Sequence, residues 1–253
     1  MSMSSLPNLH SIEKNTFPVI SKVVNSLLNK SSFKFVLGDS TCIRAYTSFK
    51  RDLEDVDLIF PGDTSIRDLN LFIQQHLNIS SEEEIVYIDS NNKVGAFLRT
   101  RIAIPTKYKN DSNFIVDFHV GGSVFYKIFS CEVDHVFFSN TSIRTIQSVS
   151  GLEEVRIPVP QLEEVFLFKL HKFINFDQVD IISLLLENTL ESDYIIERAE
   201  FYNIRKLHEN LSYLLSNLKT LQKLWNVCHG LNYREKNFES LENKIITLKK
   251  LLE

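Results

Sequence analysis

The spacing of apolar residues changes near residue 155 of this 253-residue chain. Before that point, short runs rich in Val, Ile and Phe alternate with helical patterns, as expected for a sheet combined with helices. After it, nearly all apolar residues recur at helical spacing. The pattern predicts an α+β (α/β) fold, with a mixed β-sheet flanked by helices in residues 1–155 and a C-terminal helical bundle in residues 156–253.

Capping and turn residues divide both halves into candidate elements. A first helix should begin after Thr16, with Pro18 in its first turn, and end at residue 29. Another should be capped by Thr64 or Ser65. The predicted strands span residues 33–37, 56–60, 85–89, 95–104 and 113–120, with weaker candidates at 135–138 and 142–146. The predicted helices of the second half span residues 161–173, 178–187, 192–201, 204–227 and 238–252.

Composition excludes several classes of function. A net charge of −4 is not that of a generally basic nucleic-acid coat. Three distant cysteines without a CxxC pair indicate reduced thiols rather than a disulfide framework or a zinc knuckle. The first ten residues lack a signal-peptide pattern, and apolar runs such as residues 181–186 are too short to span a bilayer. We therefore expect a cytoplasmic protein without a membrane segment.

Two acids open the apolar strand predicted at residues 56–60. Strand side chains alternate between faces, so Asp55 and Asp57 point the same way while Val56 and Leu58 point into the core. Their Cβ atoms should lie about 7 Å apart, a spacing that suits one or two hard cations. Magnesium prefers such oxygen ligands and also binds substrate phosphates. The alternative is a solvated strand face that happens to carry two acids.

A glycine turn precedes these acids. Gly38, Asp39 and Ser40 follow the first predicted strand and begin a short helix that should reach about residue 48. A glycine lets the backbone approach a phosphate closely, and a hydroxyl can donate to it. A plain strand-to-helix turn, with Asp39 or Ser40 as the helix cap, explains the same residues equally well.

A third acid, Asp117, lies within the apolar strand predicted at residues 113–120. An acid among so many core-forming residues is costly unless it is paired, hydrated or bound to metal. Alternation places Asp117 on one face with Ile115 and His119. If this strand neighbours the one at 56–60, three carboxylates converge. The alternative is a single exposed acid on a solvated face.

Lys169 lies within an apolar helical run and is either snorkelling to solvent or held for an anion such as phosphate. Asp177 and Asp180 share one face of the next predicted helix. They either position this lysine or form an exposed helix start.

Together these residues resemble the polymerase-β-like nucleotidyltransferases, and within them the AbiEii-type toxins and the mycobacterial MenT-type enzymes. Gly38 to Ser40 match the glycine turn of that family, and Arg51, Asp55 and Asp57 match its R-x-x-x-D-x-D motif. Asp117 corresponds to the third acid on a later strand. Lys169, Asp177 and Asp180 look like the lysine-ended helix and the D-x-x-D helix start that follow. The resemblance covers residues 33 to 187 in scattered motifs.

The resemblance implies transfer of a nucleoside monophosphate from a nucleoside triphosphate (NTP) to an acceptor hydroxyl. Asp55, Asp57 and Asp117 would hold magnesium, with manganese as a substitute, and Asp117 could take the acceptor's proton. Gly38, Ser40, Arg51 and Lys169 would bind the nucleotide and its phosphates, supported by Asp177 and Asp180. Toxin-like relatives imply tRNA as an acceptor and an antitoxin protein as a partner.

Two other readings remain open. Asp39 stands where the family usually has Gly or Ser, and a negative charge beside a triphosphate favours a catalytically inactive member that serves as a binding or regulatory module. An aminoglycoside-type small-molecule nucleotidyltransferase would share the metal site and differ only in its acceptor. A basic cluster formed by Arg99, Arg101, Lys107 and Lys109 could contact RNA, although an ordinary solvated hairpin is the preferred interpretation.

Overall fold

The computed structural model describes residues 10–48, 55–77, 83–88, 94–104, 112–125, 128–148, 151–174, 176–229 and 235–253. The chain divides into two compact units, one of Met1–Thr41 with Asp52–Pro160 and one of Cys42–Arg51 with Gln161–Glu253. Among the helices so described, none combines the length and the apolar character needed to cross a bilayer.

A five-stranded mixed sheet forms the centre of the first unit. Its strands are β1 (Val36–Leu37), β2 (Asp55–Phe60), β3 (Glu83–Ile88), β4 (Val94–Ile104) and β5 (Ser112–Val120). In space they lie in the order β1-β2-β5-β4-β3. β2 and β5 run parallel, and the other neighbouring strands are antiparallel.

The two parallel strands occupy the interior of this sheet because their apolar residues serve both faces. Val56 and Leu58 of β2 and Phe118 of β5 are buried on one face of the sheet, and Ile59 of β2 is buried on the other. The rings of Phe60 and Phe118 lie 6.1 Å apart between centroids. A polar side chain within the buried stretch of either strand therefore lies in the protein interior rather than in solvent.

Helices and two hairpins complete the first unit. The helices are α1 (His10–Lys30), α2 (Asp39–Ile43), which ends within the second unit, α3 (Ile66–Phe72) with a π-helical turn (Ile73–Leu77), and α4 (His135–Ser139). The hairpins pair β6 (Gly122–Phe125) with β7 (Ile128–Glu132), and β8 (Ser142–Gln147) with β9 (Glu154–Val159). Ser65 caps α3 by accepting a hydrogen bond from the Asp68 backbone N–H.

The second unit is helical from residue 161 onward. Its helices are α5 (Leu162–Lys172), α6 (Asp177–Glu187), α7 (Ser192–Ala199), α8 (Ile204–Ser216), α9 (Leu218–His229) and α10 (Glu235–Leu251). The predicted fold class, a mixed sheet with helices followed by a helical region, is thus confirmed.

One weakly predicted strand was wrong: residues 135–138 belong to helix α4. Asp134 caps this helix, with its carboxylate accepting a hydrogen bond from Phe137 N at 3.2 Å. The cap supplies a partner for a backbone N–H that the helix leaves unsatisfied. The consecutive apolar residues suggested a strand because so short a run fits either period.

The long helix predicted at residues 204–227 is two helices, α8 and α9, which meet at Asn217. The Asn217 side-chain amide donates to the Tyr213 carbonyl at 2.9 Å, and the Asn217 carbonyl accepts from Thr220 N. This local bonding competes with the helical ladder. The apolar stripe continues in register across the break, so its spacing did not reveal it.

Two further boundaries differ from expectation. Helix α1 begins at His10, so Pro18 lies inside it rather than in its first turn. A proline removes one backbone hydrogen bond from the ladder and need not end a helix when the surrounding turns persist. The short helix after Gly38 ends at Ile43 rather than near residue 48, and turns follow it.

Candidate metal centre

The parallel pairing of β2 and β5 brings together acids that are sixty residues apart in sequence. In the register of this pair, Asp57 lies opposite Asp117, and Asp55 lies opposite Ile115. Adjacent strands are about 4.8 Å apart, so side chains at opposite positions on one face are neighbours. The strand adjacency on which the sequence-based hypothesis depended is present.

A compact cluster forms on this face from Asp57, Asp117 and His119. One carboxylate oxygen from each acid and one ring nitrogen of the histidine all lie within 4.8 Å of one another. His119 Nε2 is 2.7 Å from Asp57 Oδ1. All three residues are buried. A buried group of two carboxylates and an imidazole is a donor set that a divalent cation can use.

Arg99 reaches the cluster from β4. It lies opposite Asp117 in the antiparallel β4–β5 register. Its Nε donates to Asp117 Oδ1 at 2.8 Å and its Nη2 donates to Oδ2 at 2.6 Å. A two-point pair of this kind is among the stronger charge-assisted interactions in proteins. It holds both oxygens of Asp117 in one orientation.

Proton affinities in the cluster reflect burial set against charge. Burial raises the pKa of Asp117 above its ordinary value; the hydrogen bond from Arg99 opposes this, and the charge of Asp57 adds to it. Burial alone would lower the pKa of His119, but the hydrogen bond to Asp57 and the charges of Asp57, Asp117 and Asp39 outweigh it and raise that pKa. The hydrogen bond to Asp117 likewise raises the pKa of Arg99. The two carboxyl groups thus favour the positively charged forms of the side chains that contact them, as they would favour a metal cation.

The residues present fit a divalent cation. The carboxylates supply hard oxygen ligands, as magnesium or manganese prefers, and they lie side by side on neighbouring strands. The guanidinium of Arg99 and the imidazole of His119 contact these oxygens. A bound cation would take over some of these contacts.

Asp55 is placed differently from Asp57. It begins β2, is only partly buried, and does not belong to the compact group of Asp57, Asp117 and His119. Its backbone carbonyl accepts a hydrogen bond from Thr41 Oγ1 at 3.3 Å. Strand alternation keeps Asp55 on the Asp57 face, at the end of the strand. Its metal-binding role stays a prediction.

The glycine turn has a structural explanation of its own. Gly38 N donates to the Asp57 carbonyl at 2.8 Å, which fixes this turn against β2. A Cβ atom at residue 38 would lie 2.7 Å from Ile59 Cδ1. The next residue, Asp39, has a left-handed φ of 47°, a conformation that Asp tolerates better than most residues. Ser40 Oγ donates to Asp39 Oδ1 at 3.4 Å.

Arg51, the remaining motif residue of this region, lies outside the described residues. The phosphate-binding roles predicted for Gly38, Ser40 and Arg51 therefore stay predictions.

In the second unit, Lys169 meets both acids of the predicted D-x-x-D pair. Its Nζ donates to Asp177 Oδ1 at 2.7 Å and to Asp180 Oδ2 at 2.8 Å. Lys169 is only 1% exposed, and both acids are buried. Asp177 also accepts from the Ile174 backbone N–H, which ties the lysine to the start of α6. These contacts fit the expectation that the acids position the lysine, while phosphate binding by Lys169 stays a prediction.

Sequence reasoning did not assign roles to Arg99 and His119. The sequence places Arg99 in a basic cluster with Arg101, Lys107 and Lys109; both lysines lie outside the described residues, and in the structure Arg99 pairs with Asp117. His119 had been noted only as sharing the Asp117 face. The usable signal was its i+2 spacing from Asp117 within an apolar strand, since a buried imidazole needs a polar partner.

The fold of this chain, a mixed sheet with acids on two adjacent parallel strands followed by helices, is similar to that of two solved structures. A crystal structure from Helicobacter pylori, described as that of a candidate nucleotidyltransferase, is similar over 98% of this chain and 97% of its own, with a TM-score of 0.50 and 14% identity. The crystal structure of JHP933, also from Helicobacter pylori, is similar over 98% and 95%, with a TM-score of 0.50 and 13% identity.

At such identity the likeness is one of fold. No protein-family model matches the chain, and no curated protein matches it in sequence.

Proposed function

We propose that this protein is a magnesium-dependent nucleotidyltransferase that transfers a nucleoside monophosphate from an NTP to an acceptor hydroxyl. The observation that carries the proposal is the meeting of Asp57, Asp117 and His119 on adjacent parallel strands of a nucleotidyltransferase-like fold. Neither the fold nor the acidic cluster would be sufficient alone, because one fold can serve many functions and a cluster of acids can occur without catalysis.

Asp57 and Asp117 would hold the metal, with Asp55 contributing from the start of β2. The cation would neutralise charge on the triphosphate and on the phosphorus centre under attack. In the reaction, the acceptor oxygen forms a bond to the α-phosphorus while the bond to the β-phosphate oxygen breaks and pyrophosphate leaves. The hydroxyl proton passes to Asp117. Arg99 must release one Asp117 oxygen for this transfer.

The remaining roles follow from the family resemblance. Gly38, Ser40, Arg51 and Lys169 are proposed to contact the nucleotide and its phosphates, with Asp177 and Asp180 as supports. Residues 1–155 are proposed as the catalytic domain and residues 156–253 as a helical domain. An AbiEii- or MenT-type activity, tRNA as the acceptor, manganese as a substitute ion, an antitoxin partner and a cytoplasmic location belong to the same proposal.

A labelled-transfer assay tests the activity. The protein is incubated with magnesium, each labelled NTP in turn and total RNA, and the label on RNA is measured. Asp57→Asn should reduce the label by about a hundredfold or more, because it removes a charged metal ligand without changing its size. Asp63→Asn, which changes an exposed acid of the same unit, should leave the label unchanged. Equal label from the protein and from Asp57→Asn would refute the proposal.

The competing function, an inactive binding module, is favoured by one observation: Arg99 already occupies both oxygens of Asp117. If the protein is an inactive binding module, calorimetry with magnesium should detect no heat of NTP binding. The transfer assay should then give no label on any acceptor. If NTP binds and only aminoglycosides become labelled, the small-molecule activity is the correct one.

A further inference from the structure

The β8–β9 hairpin of the first unit has one edge that no other described strand covers. β8 pairs with β9 alone. Ser142, Ile143, Arg144 and Thr145 are all exposed, while Ile146 is buried. An exposed strand edge carries backbone groups that can pair with another chain. Which backbone groups of β8 face outward depends on which of its residues are hydrogen-bonded to β9.

A hydrogen bond at the closed end of the hairpin shows which residues of β8 bond to β9. Ser148 N donates to the Glu153 carbonyl at 2.9 Å, and this pair continues the β8–β9 register. Hydrogen-bonded pairs alternate along an antiparallel ladder, so residues 142, 144 and 146 bond to β9. Ile143 and Thr145 therefore direct their N–H and C=O groups outward. Pro158, opposite Ile143, has no N–H, which agrees with this pattern.

A groove of about 250 Å³ adjoins this edge. Phe33, Phe35 and Ile143 line it together with Lys34. The Phe35 ring stacks on Phe60 at 5.8 Å between centroids, which anchors one wall in the core. An apolar side chain fits such walls, and the outward backbone groups of β8 are spaced for an extended peptide.

Among the described residues that line the groove, the charged one is Lys34, while the acids of the hairpin, Glu153 and Glu154, lie at its closed end, away from Ile143 and Pro158. Residues 28–35, 141–147 and 155–159 contain no acid, although the chain as a whole carries a net charge of −4. The exposed basic residues of these segments are Lys30, Lys34, Arg144 and Arg156. Positive charge around a binding surface favours an acidic partner and speeds its association.

We propose that β8 and the adjoining groove bind an extended acidic peptide segment of a partner protein as an additional strand. The backbone of the peptide pairs with Ile143 and Thr145. One apolar side chain enters the groove, and flanking carboxylates approach Lys34 and Arg144. RNA would also be attracted to the basic residues, but it has no peptide backbone that could pair with the N–H and C=O groups of β8. This inference does not depend on the nucleotidyltransferase proposal.

Fluorescence anisotropy with a labelled peptide, Ac-EVELEVE-NH2, tests the surface. Thr145→Pro removes an outward N–H and leaves the bonds to β9 in place, so it should weaken binding about tenfold. Thr145→Val keeps the backbone donor and should bind as the parent does. Circular dichroism of both variants verifies that they fold.

A charge test uses Lys34→Glu, which should weaken peptide binding about tenfold, while Lys223→Glu, an exposed site in the second unit, should have no effect. Equal affinity for Ac-KVKVKVK-NH2 would overturn the proposal. So would an oligouridylate that binds the parent and loses affinity in Lys34→Glu but not in Thr145→Pro. A chain dimer in sedimentation that dissociates in Thr145→Pro would assign the edge to a second copy instead.

Discussion

Arg99 binds both carboxylate oxygens of Asp117 across the β4–β5 pair, and this contact links strand β4 to the centre of the acidic cluster. The side chain of Arg99 is 31% exposed, whereas that of Asp117 is 3% exposed. The arginine thus reaches from a partly solvated position to satisfy a buried acid that would otherwise lack a strong donor.

Replacing Arg99 should destabilise the metal-free protein. Arg99→Met leaves Asp117 buried without its two donors and should lower the free energy of unfolding by about 1–3 kcal/mol, measured by urea denaturation with EDTA. Asp117 is protonated in both states well below its ordinary pKa of 3.8, so the loss should be small there. It should grow as the pH rises, since folding must then keep an unpaired acid protonated. An equal loss in an Asp117→Asn background would exclude this contact as the cause.

Lys169→Met should cost more, because it leaves two buried acids without their shared cation. We expect a loss of about 3–5 kcal/mol in the free energy of unfolding. Lys172 lies 3.9 Å from Asp177 and partly compensates the charge of that acid, so neutralising Asp180 is the informative second change. Lys169→Met with Asp180→Asn should therefore lose less than Lys169→Met alone.

The matched control for Lys169 is Arg205→Met, which breaks the exposed Arg205–Glu209 pair of α8. Its effect should stay within about 0.5 kcal/mol. A double variant that is as unstable as Lys169→Met would show that lost packing, rather than unpaired charge, causes the loss.

Gly38→Ala should be poorly tolerated because its new methyl group meets Ile59. The distances to Ile59 Cδ1 and Cγ1 would be 2.7 Å and 2.8 Å, and the side chain would have to move within a packed core. Thermal or urea unfolding should show a loss of about 1–3 kcal/mol. Ile59→Val removes Cδ1 and should recover part of this loss in a double-mutant cycle.

Gly62→Ala provides the comparison for Gly38, because among the described residues the nearest atom to a methyl group there is Gly121 Cα, at an ordinary 3.6 Å. Its effect should lie within about 0.5 kcal/mol. Additive losses for Gly38→Ala and Ile59→Val would contradict the proposed clash.

His171 should make the protein less stable in mild acid. Burial lowers its pKa, although the nearby Tyr202 carbonyl favours the charged ring, and the charge of Lys206 lowers the pKa further. The folded state therefore binds this proton less tightly than the unfolded chain. The free energy of unfolding should fall as the pH drops below about 6.5, the ordinary pKa of histidine.

His171→Asn tests this dependence, since its amide can still donate to the Tyr202 carbonyl but does not titrate. The loss of stability between about pH 7.5 and about pH 5.5 should be smaller in the variant than in the parent. Identical pH slopes in urea denaturation would rule out His171 as the source.

Much of the sheet was predictable because β2 and β5 are nearly continuous apolar strands interrupted by single acids. Their alternation places Asp57 on one face of β2 and Asp117 on one face of β5. Their adjacency was not predictable, because two parallel strands with an intervening hairpin can be ordered in several ways within a sheet. The contact between Asp57 and His119 depends on that order.

Local capping chemistry accounts for the clearest errors. Asp134 makes residues 135–139 a helix, and Asn217 divides a helix that apolar spacing presented as continuous. In both places a single polar side chain competes for backbone groups, which a hydrophobic pattern does not record. The pairing of Arg99 with Asp117 was not predicted for a related reason: the charge of Arg99 was visible in the sequence, but its opposite residue on β5 was not.

The central position of β5 has a consequence for synthesis. β5 lies between β2 and β4, so a growing chain that ends after β4 contains Asp57 and Arg99 but not the strand that joins them. The proposed cation site forms only when β5 has emerged from the ribosome and entered the sheet. A cation bound there would stabilise only chains that have completed this insertion, and it would act late in folding rather than as a seed for it.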